Sequence, residues 1–549
     1  MIDLLGSRWF ILCLLLFLAA LPRIISWLVF DFIDSGGGSD TVGYLSLARN
    51  LFTGRGFSSF GEVHTIHHPF YPVMIGVVWR LIGDLLLAGH MVSLSAGIAL
   101  VIPVYYLARH LFGPRAAWYS GLCTALFPVL VYGSSEPFSE SLYTFLLVAG
   151  GAVFAAGWRG RRVWDLAATG GLYGLAFLTH PAGITFLPVL ALFLLATQFT
   201  AARTAWKIFL ARLILLAAAF SLVASPWWFY LRRATGHWQL SGSSHYQNIN
   251  LTVDAIKGKE EAAVIFEHME SIYHPAAVAE EREAVGLLEI YLRHPRKALQ
   301  VVSFNLAAAV RNLRKSARFL GLNPCLLAGI LGAAALVLIG ASIPLAIKKR
   351  LGLEVLLVML MFLPALTFIL VLMQHRYFYP FFPFALVLLG AILAAGEESG
   401  AYRVRIFSRL FLWATLILFL AGSAGVIWRK WDKAAIPYEY KLLGEWMRDN
   451  IKGIKEEKVM SFRLGVPFYA ESSWNVFFWG DYPGLLNYLR LRGVRYLVID
   501  DYKLDMIHPE LRFLIVAPPP AEFEEIKTVE FKGRRARLLR LLPGFSAPE

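Results

Sequence analysis

Long apolar stretches separated by short polar segments are the feature that most constrains the fold of this chain. Of its 549 residues, 57% are hydrophobic and only 16% are charged, and the mean hydropathy is +0.58. About 20 consecutive apolar residues are needed to cross the hydrocarbon core of a bilayer. A soluble chain of this length would need much more polar surface. The pattern therefore predicts a polytopic α-helical integral membrane protein.

Roughly eleven stretches are long and apolar enough to be membrane spans. They lie near residues 9–30, 87–108, 116–134, 141–158, 164–179, 183–200, 208–225, 326–347, 353–373, 378–396 and 410–427. The first is too long for the core of a signal peptide and lacks a small-residue cleavage site, so we expect it to be retained. The shorter apolar segment Pro69–Gly83 carries Arg80 and predicts a helix lying at the outer membrane interface.

The polar segments between these stretches fall into two alternating classes. One class is short and basic, and Arg109–Arg115 and Arg403–Arg409 are examples. The positive-inside rule places such segments in the cytoplasm, which also explains the net charge of +14 without nucleic-acid binding. The other class includes the large loops 31–86 and 226–324, which we therefore expect to face outward. We predict a multi-pass plasma (inner) membrane protein with a cytoplasmic N-terminus.

The pattern changes after the last apolar stretch. An amphipathic helix is predicted around 438–452 and a buried strand at Tyr496–Ile499. Phe513–Val516 and Ala536–Leu541 are predicted to be extended as well. We expect a transmembrane module over residues 1–427 and a small extracytoplasmic α/β domain over residues 428–549.

Three acidic residues lie in the segments predicted to face outward. Asp40 follows three glycines and precedes apolar residues at helical spacing, so it is either a helix N-cap or a functional carboxylate. Glu136 and Glu140 are four residues apart on one helix face, where they repel each other. Carboxylates at the level of the lipid are costly unless they are paired or functional. A water-exposed helix start, which favours acids, is the alternative.

Basic and aromatic residues between two later spans form a second candidate site. His375, Arg376 and Tyr377 follow one another on the side predicted to face outward. Arg offers a rigid fork of donors that suits a phosphate group. A topology anchor, with Tyr377 in the aromatic belt, is the alternative. An outward-facing Arg runs against the positive-inside bias, so a functional role is favoured.

Histidines gather at two further positions of the outward segments. His64, His67 and His68 precede Pro69, and His180 precedes another proline. A zinc site needs three or four ligands in tetrahedral reach, and the sequence supplies no clear set. A divalent cation therefore stays possible without assigned ligands. Contact with phosphate or sugar is the favoured role, except that His64 is expected to be an ordinary interfacial histidine.

Together these motifs resemble those of the GT-C membrane glycosyltransferases, in the superfamily that contains the dolichyl-phosphate-mannose protein mannosyltransferases and the lipid A aminoarabinose transferases. The resemblance covers residues 9 to 396 and, more loosely, the tail. The similar positions are Asp40 and Tyr44 in the first loop, Pro69-Phe70-Tyr71-Pro72, Ser139-Glu140-Ser141-Leu142-Tyr143, and Arg376-Tyr377 followed by Pro380 and Pro383. The chain departs from the pattern at His180-Pro181-Ala182-Gly183, where relatives often have Arg-Pro-Glu-Gly. It also has His67 and His68 where some have Lys.

The resemblance implies a GT-C fold and an inverting transfer of a sugar from a polyprenyl-phosphate donor to a hydroxyl of a protein, lipid or glycan acceptor. Asp40 would be the general base, and Glu140 would orient the acceptor or share a divalent ion with Asp40. The donor phosphate would be bound by Arg376 with help from His67, His68 or His180. Tyr44, Glu136, Tyr71, His375 and Tyr377 would contact the substrates.

Three other functions remain as alternatives. An oligosaccharyltransferase or polymerase would use a lipid-pyrophosphate donor, and a metal-bound pair of acids would favour it. A polyprenyl-lipid transporter or flippase would show repeats and ionisable residues at mid-membrane, whereas here these residues gather on one side. A non-enzymatic envelope scaffold would not explain the positions of the acidic residues and Arg376.

Overall fold

The computed structural model describes residues 8–29, 38–60, 62–158, 163–199, 206–242, 295–296, 299–307, 352–365, 375–433, 438–478, 481–501, 509–531 and 533–545. The chain divides into two compact units. The first, here the membrane unit, contains Met1–Phe30, His68–Ser243 and Ala298–Trp431. The second, here the domain unit, contains Asp31–His67, Ser244–Lys297 and Asp432–Glu549. The first predicted loop therefore belongs largely with the C-terminal tail.

The described part of the membrane unit is built from helices. Numbered along the whole chain, they are α1 (Arg8–Leu28), α3 (Phe70–Ile82), α4 (Leu85–Ala99), α5 (Val101–Phe112), α6 (Pro114–Leu126), α7 (Pro128–Ser134), α8 (Ser139–Gly157), α9 (Val163–Thr179), α10 (Phe186–Gln198), α11 (Trp206–Thr235), α12 (Gly352–Leu360), α13 (Phe382–Glu397) and α14 (Tyr402–Lys433). In the described part of the chain, seven helical segments are long and apolar enough to cross a membrane, and the bent pair α6–α7 would be an eighth. The prediction of a polytopic membrane protein is confirmed. The predicted span at 326–347 lies outside the described residues.

A bend in the membrane unit separates α6 from α7 by 56°. Pro128 begins α7 and has no N–H to donate to the carbonyl of Thr124, one turn earlier. The fully buried guanidinium of Arg23 donates instead to the carbonyls of Thr124 (3.2 Å) and Ala125 (2.6 Å). The hydroxyl of Ser423 donates to the next carbonyl, that of Leu126, at 3.0 Å. Side chains thus satisfy the open end of α6, as an apolar surrounding requires.

The end of α11 corrects one prediction. The span was expected to end at Ser225 and the outward loop to begin at Pro226, but the helix continues through Pro226 to Thr235. A proline inside a helix frees the carbonyl of the residue four positions earlier. Here that carbonyl belongs to Leu222, and the hydroxyl of Ser225 donates to it at 2.9 Å. The neighbouring serine therefore offsets the missing hydrogen bond. Most of the rest of loop 226–324 lies outside the described residues.

The domain unit contains a five-stranded mixed sheet with the order β4-β3-β5-β7-β6. Its elements are α2 (Gly38–Phe52), β1 (Ser58–Ser59), β2 (Glu62–Val63), α15 (Tyr438–Asn450), β3 (Lys458–Ser461), α16 (Gly465–Ala470), β4 (Ser473–Val476), α17 (Tyr482–Arg492), β5 (Tyr496–Asp500), α18 (Phe513–Val516), β6 (Phe523–Phe531) and β7 (Arg534–Leu541). β3 pairs in parallel with β4 and β5, and β7 pairs antiparallel with β5 and β6. This confirms the small C-terminal α/β domain.

Two apolar clusters cover the two faces of this sheet. Alternate residues of β5 divide between them, with Leu497 facing the core that includes Leu485 of α17 and Val498 facing the core that includes Leu443 of α15. The predicted extended conformation of Phe513–Val516 is wrong, because these residues form α18. Within this helix the adjacent residues Leu514 and Ile515 are both buried, whereas a strand would point them to opposite faces. A short apolar run fits a helix turn as well as a strand.

The orientation of the chain is a prediction that thiol labelling can test. Lys452 and Gly400 are both exposed, in the domain unit and in the turn before α14 respectively. We expect Lys452→Cys in intact cells to react with a membrane-impermeant maleimide, and Gly400→Cys to react only after the membrane is opened. The unsubstituted protein, with Cys13 and Cys123 in spans, is the background control. If Gly400→Cys, and not Lys452→Cys, were labelled in intact cells, the orientation of the chain would be the opposite of the predicted one.

Candidate active site

Asp40 lies in the first turn of α2, inside the helix. It therefore lies not at the N-cap position but within the first turn, where the helix dipole also favours a negative charge. Its carboxylate is 23% exposed, and its Oδ1 lies 3.6 Å from Nε2 of His67. Tyr44 follows one turn later on the same helix face, with its ring centroid 4.6 Å from that of His67. The domain unit thus brings three of the predicted site residues together.

His64 supports this group from behind His67. Its Nε2 accepts the backbone N–H of His67 at 3.0 Å and lies 2.8 Å from the Nδ1 of the same residue. The two imidazole rings stack, with centroids 4.8 Å apart. Burial lowers the pKa of His64 well below its usual value, and the nearby His67 lowers it further. His64 is therefore a buried neutral partner, a role that its sequence context did not reveal.

The C-terminal domain anchors the polypeptide that carries these residues. Phe60, at the tip of the β1–β2 hairpin, packs its ring 5.7 Å from that of Trp474 on the edge strand β4. Its backbone has φ +53°, a conformation that a bulky residue keeps only when its surroundings impose it. At the end of α2, the guanidinium of Arg49 lies 5.7 Å from the ring centroid of Phe468 in α16. The end of α2 and the tip of the hairpin are thus both held against the C-terminal domain.

The membrane unit holds a second group around the start of α8. Glu140 is in the first turn of this helix, and Tyr143 lies three residues later on the same face. The ring of Tyr143 lies 4.9 Å from that of His180, which in turn lies 6.4 Å from that of Tyr377. Within the described residues the buried hydroxyl of Tyr143 has no hydrogen-bond partner. Tyr143 was part of the Ser-Glu-Ser-Leu-Tyr pattern, but sequence reasoning gave it no role.

The protonation of His180 follows from its backbone contacts. Its Nδ1 accepts the N–H of Ala182 at 3.2 Å. A neutral imidazole with an accepting Nδ1 carries its hydrogen on Nε2. His180 therefore carries its ring hydrogen on Nε2.

Helix α4 fixes the turn that precedes Glu140. His90 Nδ1 lies 3.0 Å from the carbonyl oxygen of Ser135, and the hydroxyl of Ser93 donates to the carbonyl of Phe138 at 3.0 Å. Tyr71 is completely buried, and its hydroxyl lies 2.7 Å from that of Ser93. Tyr71, expected to touch substrate, thus supports this turn, and buried Glu136 lies within it.

His68 is held by protein atoms at both ring nitrogens. Nδ1 lies 2.5 Å from the carbonyl of Phe177 and Nε2 lies 3.1 Å from the hydroxyl of Ser241. Its ring also packs against Trp227. His68 would have to give up one of these contacts to bind a phosphate group.

Tyr379 links the Arg376 segment to the start of α8. The backbone of His375–Phe381 forms a 3₁₀ helix, while the side chains of His375 and Arg376 lie outside the described part of the structure. The hydroxyl of Tyr379 donates to the carbonyl of Leu130 at 3.0 Å and lies 3.3 Å from the hydroxyl of Ser141. The predicted phosphate-binding segment is therefore tied to the helix that carries Glu140. Among the described residues, no group of three His, Cys, Asp or Glu side chains could hold a metal ion.

Comparisons with known proteins agree with this architecture. Residues 66–230 match the family model for dolichyl-phosphate-mannose-protein mannosyltransferases. The fold is similar to that of ArnT from Cupriavidus metallidurans bound to undecaprenyl phosphate, with a TM-score of 0.55 and 13% identity, over 99% of this chain and 100% of that chain. It is also similar to the Archaeoglobus fulgidus oligosaccharyltransferase AglB in complex with an inhibitory peptide and a dolichol-phosphate. That match has a TM-score of 0.61 and 15% identity, over 97% of this chain and 74% of that chain. No curated protein sequence matches the chain.

These matches define the structural class. The chain has the GT-C fold of membrane glycosyltransferases, and the resemblance inferred from its motifs is confirmed.

The contact of Tyr379 with α7 leads to a test of the membrane unit. A Cβ added to Gly133 would lie 2.2 Å from Cε2 of Tyr379, whereas one added to Gly151 would lie 3.8 Å from its nearest neighbour. We expect Gly133→Ala to destabilise the protein by about 1–3 kcal/mol, because the ring must move. Gly151→Ala should be close to neutral. Thermal unfolding in detergent measures both, and equal midpoints would contradict this packing.

Proposed function

We propose that the protein is an inverting glycosyltransferase that moves a sugar from a polyprenyl-phosphate donor to an acceptor hydroxyl on the outer face of the membrane. The observation that carries this proposal is the Asp40–Tyr44–His67 group, which sets a partly exposed carboxylate beside an imidazole. The polyprenyl-phosphate donor is supported by the fold shared with ArnT bound to undecaprenyl phosphate and with AglB in complex with a dolichol-phosphate.

In this proposal Asp40 is the general base. Its carboxylate accepts the proton of the acceptor hydroxyl while the acceptor oxygen forms its bond to the anomeric carbon. The bond from that carbon to the phosphate oxygen breaks on the opposite face, and its electron pair leaves with the polyprenyl phosphate. A single displacement of this kind inverts the anomeric configuration.

The leaving phosphate keeps its negative charge, so it needs cations and hydrogen-bond donors instead of a general acid. We assign the main contact to Arg376, because a guanidinium binds phosphate oxygens with two prongs. His180 would add its Nε2–H, and the buried hydroxyl of Tyr143 beside it would gain a partner. His67 would add a positive charge when its ring is protonated, while His68 is already engaged at both nitrogens.

Glu140 completes the proposed set as the residue that orients the acceptor. It lies at the start of α8, where the helix dipole favours a negative charge. Tyr44, Glu136, His375 and Tyr377 remain proposed substrate contacts. An oligosaccharyltransferase with a lipid-pyrophosphate donor is the second candidate, because AglB shares the fold. The released lipid separates the two, since one reaction yields a polyprenyl monophosphate and the other a pyrophosphate.

The general-base assignment predicts the outcome of one isosteric change. Asp40→Asn should lower transfer by about 10²- to 10⁴-fold, because the amide cannot accept a proton. Asp84→Asn is the matched control: Asp84 caps α4 through its Oδ1 and the N–H of Leu87, and Asn caps equally well. Transfer of label from polyprenyl-phosphate sugars, normalised to folded protein, measures both. Wild-type turnover in Asp40→Asn would remove the general base from the proposal.

Substitutions of Arg376 separate phosphate binding from membrane anchoring. Losing one charge-assisted bond to the leaving group should cost about 2–4 kcal/mol in the transition state, or roughly a hundredfold or more in rate. Lys restores the charge but not the two-pronged geometry, so Arg376→Lys should be impaired and Arg376→Ala more so. An anchor would tolerate Lys fully, because either cation reaches the interface. Turnover in nanodiscs, with folded protein quantified, distinguishes these outcomes.

A further inference from the structure

We propose that His67 accepts the proton collected by Asp40 and that His64 prepares it to do so. This inference rests on the proposed function, in which Asp40 is the general base. It adds two residues to the reaction: His67 as the proton acceptor behind the base, and His64 as a positioning residue.

The contacts of His67 support this order. Its Nε2 faces Asp40 at 3.6 Å, and its Nδ1 faces Nε2 of His64 at 2.8 Å. The ring lies between Tyr44 on α2 and the stacked ring of His64. Among the described residues, the titratable groups in contact with His67 are therefore Asp40, Tyr44 and His64.

The hydrogen between the two histidines belongs to His67. Nε2 of His64 already accepts the backbone N–H of His67 at 3.0 Å, so this nitrogen has no hydrogen of its own. Two bare nitrogens would repel each other at 2.8 Å, so Nδ1 of His67 must be the donor. In its neutral form His67 then has a bare Nε2, which is directed at Asp40. This is the tautomer that can accept a proton from the carboxylic acid.

The proton can be followed through the reaction. It leaves the acceptor hydroxyl as the new glycosidic bond forms and is taken up by the Asp40 carboxylate. The two side chains close from 3.6 Å to hydrogen-bond distance, and Nε2 of His67 then accepts the proton, which gives an imidazolium beside a regenerated carboxylate. His67 is 11% exposed and passes the proton to water. His64 does not compete for it, because burial holds the pKa of His64 well below its usual value.

Two substitutions of His64 separate a proton role from a packing role. Gln can place a carbonyl oxygen near the position of Nε2 and accept the same hydrogen bonds, whereas Phe keeps the stacked ring but accepts none. With Phe, His67 is free to carry its hydrogen on Nε2, facing Asp40, and cannot take the proton. We expect His64→Gln to keep turnover within about threefold of wild type. His64→Phe should lose about tenfold or more and show a larger solvent deuterium isotope effect.

The measurement is single-turnover transfer from radiolabelled mannosyl and glucosyl undecaprenyl phosphates, in H₂O and D₂O, by the full-length protein in nanodiscs. Equal losses of turnover in both His64 variants with an unchanged isotope effect would overturn the relay, that is, the proposed proton transfer from Asp40 to His67. If either variant fails to fold, His67→Ala replaces it: added imidazole should restore its turnover, and no restoration would overturn the relay. Asp40→Asn is measured alongside. Activity there refutes the general base itself, whereas an inactive Asp40→Asn with a wild-type His64→Phe refutes only the relay.

Discussion

The membrane unit depends on one constraint: in an apolar environment every backbone carbonyl needs a hydrogen-bond donor. At the bend between α6 and α7, Pro128 removes one donor, and Arg23 and Ser423 supply others from two different helices. A buried arginine is costly, but here it lies at the negative end of a helix dipole and contacts carbonyl oxygens. The bend directs α7 toward the turn at Ser135, which His90 and Ser93 then hold. The position of Glu140 thus depends on this chain of contacts.

The domain unit solves a different problem, namely how to hold Asp40, the proposed general base, on a segment that connects two helices of the membrane unit. Phe60 and Arg49 pack against Trp474 and Phe468, so the C-terminal domain shares a compact unit with α2. This accounts for a tail with an apolar core of its own in a protein whose main solvent is lipid. In the proposed mechanism the domain unit supports the segment that carries the base.

Much of this architecture could be predicted from the sequence, because the length of the apolar stretches is a strong signal, while the orientation that the basic residues indicate stays a prediction. The resemblance also selected Asp40, Glu140 and His180, which the structure places in two groups. Arg23 and His64 were missed for a physical reason: their partners are carbonyls and rings from distant or turn segments, which no local pattern encodes. The course of α11 beyond Pro226 was missed because the compensating bond comes from Ser225, a residue with many other possible roles.

The central claim is a single inverting displacement at a polyprenyl-phosphate sugar, and the products of one reaction test it most directly. Purified protein in nanodiscs would be given anomerically defined, labelled polyprenyl-phosphate sugars and an acceptor extract, and both products would be analysed. The account predicts a glycoside of inverted anomeric configuration together with one equivalent of polyprenyl monophosphate. A product that retains the donor configuration, or a protein that moves the lipid across the bilayer without breaking its sugar–phosphate bond, would contradict it.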